Sequence, residues 1–416
     1  MEPLLFLSHR IPFPPNKGDK IRSYHLLRHL AQRYAVHLGT FVDEPADRAH
    51  LPALEGLCAS VYAVDIAPAF AKIRSLTGLL SGEALTVPYY RAPALQRWVD
   101  ATIRTHRIEH CVVFSSAMAQ FVDEQPGLRC VVDFCDVDSA KWKQYAASQA
   151  WPSSAIYRRE AVRLLAFERA VARRSAASIF ATPAEAAMFV ALAPESKSRV
   201  HVVENGVDGE YFSPDAARPT PYRADETPIV FTGAMNYWPN VDGVCWFASE
   251  VLPRLVQCNP SVRFYVVGMN PAPAVEALAR DPRIVVTGRV PDVRPYVQHA
   301  RLVVAPLRIA RGIQNKVLEA MSLARPVLMS AASAEGLSGR AGSEFEIADG
   351  ADEFVARALS MLSDGRAEAM GRRARETVLA ERDWSRNLAA FERVLQPRVD
   401  VRHVPRTVDA RVEHAR

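Results

Sequence analysis

A chain of 416 residues with 49% hydrophobic and 23% charged content holds enough apolar material for two full-sized cores, which excludes a disordered or collagen-like protein. Its 51 Lys and Arg against 46 Asp and Glu leave a net charge of +5, a mild bias that permits attraction to phosphate or anionic lipid and carries no nucleic-acid signature. The six cysteines form no C-x-x-C pair; on strands and helices they read as buried thiols in a reducing compartment, against a disulfide scaffold or zinc ribbon. No window approaches the roughly 20 apolar residues of a membrane span. The start, Met1-Glu2-Pro3 before Leu4-Leu5-Phe6-Leu7, lacks the basic segment and the length of a signal peptide. The expected location is cytoplasmic, with at most peripheral contact on the inner face of a membrane.

Apolar runs of strand length at 4–8, 36–41, 61–64, 111–114, 130–134 and 178–181 alternate with helical patterns, and runs at 229–232, 263–267, 283–287, 302–305 and 326–329 repeat the alternation. Such alternation predicts α/β architecture: two Rossmann-like, doubly wound parallel-sheet domains, with ligands at the carboxyl ends of the strands in the cleft between them. The break falls at Asn205-Gly206-Val207-Asp208, followed by a Pro-, Asp- and Ser-rich run to Pro228 that favours turns. This divides the chain into domains 1–204 and 205–366, which by the family resemblance given below would be the acceptor side and the nucleotide side. An amphipathic helix is expected over 367–395, broken near Asp383-Trp384, and a basic flexible tail over 396–416.

After the first strand, Pro12, Pro14 and Pro15 stiffen a loop that ends in Lys17-Gly18, ahead of a helix with Leu26, Leu27, Leu30 and Ala31 on one face. Gly18 lets backbone approach a ligand where the helix N-terminus points, so Lys17 and Gly18 are candidate phosphate-side residues; an ordinary βα connection with solvated cations is the alternative. The strand at 130–134 ends in Asp133-Phe134-Cys135-Asp136-Val137-Asp138-Ser139. Three carboxylates within six residues are expected to raise at least one pKa and suit acid–base work. Asp136 and Asp138 are the catalytic candidates, Asp136 the stronger, because Asp138 or Ser139 serves equally as a helix N-cap.

In the second half, Phe231-Thr232-Gly233-Ala234-Met235-Asn236 closes a strand, and by the family resemblance given below Gly233 and Asn236 are candidates for the donor phosphates. Thr287-Gly288-Arg289-Val290, by the same resemblance a base-contacting loop, offers Arg289, as readily solvated as stacked on a base. The richest segment is 303–328. A strand ends at Pro306, a loop carries Arg308, Arg311, Gly312, Ile313, Gln314 and Asn315, and a helix follows with Val317, Leu318, Ala320 and Met321 at helical spacing. Unpaired N–H groups near Gly312 and Ile313, with Arg308, Arg311 and Lys316 close by, suit a diphosphate. Lys316 is the candidate for stabilising the leaving group, and Glu319, one turn further, can meet a sugar or ribose hydroxyl.

These residues resemble the donor-binding segment of the retaining GT-B glycosyltransferases of family 4. Glu319-Ala320-Met321 and Pro326-Val327 fall on that family's pattern, Gly312 follows the position of its first Glu, and Asn205-Gly206-Val207-Asp208 with Phe212 and Pro214 is similar to its interdomain linker. Pro15-Asn16-Lys17-Gly18-Asp19-Lys20-Ile21-Arg22 and the run from Asp133 to Trp142 resemble a subgroup of bacterial sugar transferases that accompany exopolysaccharide and exosortase gene clusters. The resemblance implies a GT-B fold, a nucleotide diphosphate sugar as donor, a polysaccharide or lipid-linked glycan precursor as acceptor, retention of configuration, and a last helix crossing back to the first domain. It implies no cofactor and no metal. The acidic triplet also mimics the D-x-D metal motif of GT-A transferases, but that fold has one nucleotide-binding half where two are predicted here. Two departures stand out. Arg311 occupies the place of the first Glu, and the usual Arg and Lys after Gly233 are replaced by Asn236, Trp238 and Asn240, leaving Arg308 or Lys316 to supply the charge.

Rival readings are a nucleotide-sugar 2-epimerase of the same fold and a non-catalytic nucleotide-sugar-binding partner. A Rossmann dehydrogenase is disfavoured because no G-x-G-x-x-G follows the first strand. Residues 70–80, and later Trp142, Lys143, Tyr145, Trp151, Tyr157, Arg158 and Arg159, mix apolar groups with positive charge, a makeup suited to an anionic bilayer. Base, sugar and acceptor are not legible.

Overall fold

Runs of Val, Ile, Leu and Phe buried on both faces form the strands, as expected where helices cover both sides of a parallel sheet. The computed structural model describes residues 1–396 apart from 124, 126, 311, 364 and the side chain of 148. Arg311 and the expected tail beyond Gln396 therefore lie outside the described residues. The first sheet comprises β1 (Glu2–Ser8), β2 (Tyr34–Val42), β3 (Ser60–Asp65), β4 (His110–Phe114), β5 (Arg129–Cys135), β6 (Ala177–Phe180) and β7 (Val200–Val202), in the order β3-β2-β1-β4-β5-β6-β7. The second comprises β8 (Thr227–Thr232), β9 (Val262–Val267), β10 (Ile284–Gly288), β11 (Leu302–Ala305), β12 (Val327–Met329) and β13 (Glu346–Ile347), in the order β10-β9-β8-β11-β12-β13. Every pairing within them is parallel. Both orders reverse direction at a central strand, β1 or β8, the place where doubly wound sheets open a crevice.

Side chains alternate across each sheet with period two. Leu5, Leu7 and Val113 enter one core while Leu4, Phe6 and Val112 enter the other, and Ile229 and Phe231 oppose Val230 and Tyr265 in the second sheet. Two short edge strands, β7 and β13, have no counterpart in the apolar runs. The cysteines depart from the expectation of buried thiols: all six are free, but Cys111 alone is fully buried and Cys258 is exposed at the end of helix Leu252–Cys258.

The chain crosses between the sheets twice, and the crossings touch. Val207 N–H donates to Arg382 O at 2.8 Å, and a Cβ on Gly206 would stand 2.8 Å from both Arg382 O and Trp384 N, so the contact requires glycine. Asp383 separates helix Arg366–Glu381 from helix Trp384–Leu395 and caps the latter by accepting from Arg386 N–H at 2.9 Å. Trp384, Leu388, Phe391 and Leu395 then pack into the core beside Leu4, Phe6 and Leu26, which ties the last helix to the first sheet.

Candidate functional site

Arg22, in helix Gly18–Ala31, is buried beside Asp133 at the end of β5 (Nε to Oδ2, 2.9 Å), and donates also to Val203 O at 2.8 Å and Asn205 Oδ1 at 2.9 Å. Asn205 reaches the second domain through Asn315 Oδ1 at 3.4 Å. One chain of hydrogen bonds thus runs from the acidic strand end through the linker to helix Asn315–Ser322. Burial pushes the Asp133 carboxyl up, against the pull of Arg22, with Asp136 only a small addition. The expected crowding effect among the three carboxylates is in this respect a burial effect.

Asp136 and Asp138 share a cation that the sequence reading missed. Lys141 Nζ donates to Asp136 Oδ2 at 2.8 Å and Asp138 Oδ1 at 3.1 Å. Burial works against the Lys141 ammonium, but the two carboxylates outweigh it and hold its pKa well above the ordinary value. The expected N-cap is corrected: Val137 precedes helix Asp138–Ser148 and no side chain caps it there. Ser139 instead gives its N–H (3.2 Å) and its hydroxyl (2.5 Å) to Glu168, a carboxyl that burial, and then Asp138, push up to about 8.

In the second domain, Lys316 Nζ donates to Asn240 Oδ1 at 2.7 Å and lies 4.0 Å from the Phe231 ring centroid, a cation–π contact. A Cβ on Gly233 would stand 2.8 Å from Asn240 Nδ2 and 3.2 Å from Lys316 Nζ, so the glycine lets an ammonium and an amide lie on the backbone after β8. Burial pushes Lys316 down to about 7 and Glu319 up to about 7, each partly offset by the other's charge.

The two halves meet at Gly312. Its φ of +65° is left-handed, and a Cβ there would lie 3.5 Å from Asp136 Oδ1 and 3.8 Å from Thr182 Cγ2. Gly18 faces Asn315 similarly, at 3.7 Å from its Nδ2. Gln314 precedes the helix and donates to Gly312 O at 3.1 Å. Ile313 is buried beside Val317 and Leu318, so its side chain supports the loop and does not line the cleft.

Other candidates are engaged differently from the sequence reading. Lys17 is ion-paired with Glu44, which also meets the half-exposed Arg289 across the cleft at 3.4 Å. Burial raises and these cations lower the Glu44 carboxyl, and the cations prevail. Arg308 pairs with Asp242 (Nε to Oδ2, 2.9 Å) on an exposed surface, and Lys316 is the cation beside Gly233. Asn236 stands exposed; the asparagine in contact is Asn240, in helix Trp238–Trp246. Tyr237, from the same loop, hydrogen-bonds Tyr145 of the first domain, and burial foremost pushes its phenol up to about 12. Among the described residues no group of three His, Cys, Asp or Glu is placed to hold a metal ion.

Residues 226–364 match the family described as Glycosyl transferases group 1. The second domain is a glycosyltransferase group 1 domain. It makes the chain a transferase, and Gly233, Asn240, Arg289, Gly312, Lys316 and Glu319 all lie within it. Solved structures align over the whole described architecture and give the fold as GT-B. HepE from Anabaena, in complex with UDP and glucose, is 15% identical with a TM-score of 0.68, covering 95% of this chain and 99% of that one. Sucrose-phosphate synthase from Thermosynechococcus elongatus is 17% identical with a TM-score of 0.71, covering 95% and 98%. WaaG, a glycosyltransferase involved in lipopolysaccharide biosynthesis, is 15% identical with a TM-score of 0.63, covering 94% and 99%. At these identities the likeness carries the fold alone. No curated protein matches this sequence.

Proposed function

We propose that the protein moves a sugar from a nucleotide diphosphate sugar to a polysaccharide or lipid-linked glycan precursor in exopolysaccharide biosynthesis, with retention and without a metal. The observation that carries this reading is Lys316: a largely desolvated ammonium over Gly233, at the end of the central strand of a glycosyltransferase group 1 domain, with Asp136 of the other domain across Gly312. The UDP and glucose bound by the structurally similar HepE support a nucleotide-sugar donor of this kind. The exopolysaccharide setting and retention rest on the resemblance of the sequence motifs.

In this reading the diphosphate lies over Gly233, where Lys316 and the first N–H groups of helix Asn315–Ser322 meet its charge. Charge developing on the leaving diphosphate is then stabilised by groups already in place, the electrostatic route to catalysis. Glu319 accepts from hydroxyls of the donor. Asp136, oriented by Lys141, receives or positions the acceptor hydroxyl, with Asp138 fixing Lys141 from the other side. Lys17, Gly18, Gln314 and Asn315 shape the cleft around the donor. The working location is the cytoplasmic face of a membrane.

The test is incubation of purified protein with a panel of nucleotide sugars and a bacterial lipid extract, followed by mass spectrometry of both sugar nucleotide and lipid. A mass gain of one sugar on an acceptor supports the reading. Consumption of the donor by epimerisation, with no transfer, overturns it.

A further inference from the structure

Helices Pro68–Ser75 and Thr77–Ser81 are amphipathic the wrong way round for a water-facing element. They turn Ala71, Ser75 and Gly78 inward, while Phe70 is 77% exposed, Ile73 66% and Leu80 93%. Large apolar side chains belong inside and small ones tolerate either place, so a face that inverts this order is built to meet something apolar. The inversion is not a loose end. Arg74 donates to Pro88 O at 2.9 Å and Tyr89 O at 2.5 Å, and Arg159, from helix Ser153–Arg174, donates to Gly78 O at 2.6 Å. The face therefore continues onto the N-terminal end of that helix, beside which Trp151 is 82% exposed.

We propose that this face rests on an anionic phospholipid bilayer, the first domain docking there through its apolar side chains. Charge selects this occupant. Residues 66–81 contain no acid. In helix Ser153–Arg174 both carboxylates are turned inward: Glu160 accepts from Leu85 N–H at 2.6 Å and Thr86 N–H at 3.0 Å, and Glu168 holds Ser139. The ionisable groups exposed around the patch are Lys72, Arg74, Arg158 and Arg163, and the nearest acid beyond it, Glu83, is paired with Arg91 at 2.7 Å. Apolar side chains ringed by cations match the acyl boundary and headgroups of an anionic leaflet, whereas a neutral protein partner would leave the cations unused. Among the described residues no helix is long and apolar enough to cross a membrane, so the contact lies on the surface. The site side is connected to it, because helix Asp138–Ser148, which begins with Asp138, packs on helix Ser153–Arg174, with Trp142 and Tyr157 ring centroids 5.1 Å apart. The inference stands on this surface alone and survives failure of the transfer reading.

The full chain is sedimented with vesicles of phosphatidylcholine, and of phosphatidylcholine with phosphatidylglycerol. Binding to the anionic vesicles only, weakened by salt, is expected. The double variant Phe70→Glu, Leu80→Glu should keep the melting temperature and lose about tenfold or more of the vesicle affinity. Lys72→Glu with Arg158→Glu, which leaves the apolar face intact, should lose a similar amount. Equal binding to both vesicle types, binding to neither, or undiminished binding of both double variants overturns the proposal. So does a dimer of the unmodified chain that the Phe70, Leu80 variant dissociates, which would make a second copy the occupant.

Discussion

Asp136 and Gly312 face each other across the cleft: a side-chain carbon on Gly312 would come within 3.5 Å of Asp136 Oδ1. The acidic end of β5 thus touches the loop that opens helix Asn315–Ser322, and in the proposed reading a substituent on that glycine would stand between Asp136 and the donor.

Asp136→Asn is expected to lower transfer by roughly 10² to 10⁴ while nucleotide affinity at the second domain is kept, the scale of a lost general base. A purely structural Asp136 would give a different pattern, a loss of melting temperature with normal turnover per folded molecule. Transfer rate, nucleotide affinity and Tm measured on one preparation separate the two.

Glu319→Ala should cost about 10² or more in transfer, equivalent to one or two buried charge-assisted hydrogen bonds to the donor. The substitution also removes the carboxylate that favours the Lys316 ammonium, so the Lys316 pKa should fall further. Near-normal turnover in a folded variant would refute the donor role of Glu319.

Nucleotide binding should take up protons above neutrality. The Lys316 ammonium is held down to about 7 by burial, and a bound diphosphate favours its charged form, so the pKa rises on binding. Above about pH 7 the free protein must gain a proton to bind, and affinity should fall by up to about tenfold per pH unit until the raised pKa is reached. Calorimetry at pH 8 in buffers of different ionisation enthalpy should report uptake of close to one proton, and Lys316→Met should abolish it. A pH-independent affinity would mean that the Lys316 ammonium is already charged before the nucleotide binds, and a Lys316→Met variant with undiminished affinity would exclude it from the diphosphate site.

Transfer should survive EDTA, because Lys316 and helix N–H groups are assigned the charge that a divalent cation would otherwise balance. Activity that collapses and returns with Mg²⁺ or Mn²⁺ would instead recast Asp136 and Asp138 as ligands.

Arg22→Leu should destabilise the fold by about 3 to 5 kcal/mol, since it leaves Asp133 buried without its partner. The sign with pH follows from the carboxyl. Burial already raises the Asp133 pKa, and without Arg22 it rises further, so the variant's deficit should be small at acid pH, where Asp133 is protonated in both states. It should grow as pH climbs from the Asp133 pKa of the folded wild type, already above the ordinary carboxylate value, to the still higher one of the variant. Urea titrations at two pH values check this; a deficit that does not change with pH would argue against an unpaired Asp133 as its cause.

By itself the sequence determined the longer strands of both sheets and the strand–loop–helix segment that follows Leu302, because both are local. A parallel strand buried on both faces is a continuous apolar run, and the turn at Gly312, the ammonium of Lys316 and the carboxyl of Glu319 belong to one strand–loop–helix segment. The edge strands β7 and β13 escaped because three and two residues leave no period to read. Tertiary structure alone decided which charges are spent and which face the cleft. Lys17 and Arg308 look as available as Lys316 in the sequence, yet Glu44 and Asp242 neutralise the first two, while Lys316 meets Asn240, 76 positions away, and Arg289 meets Glu44, 245 positions away. Such pairings depend on which strands lie side by side and how two domains close on each other. An ionic contact needs only a few ångströms in space, and the spacing of residues along a chain carries no record of that distance.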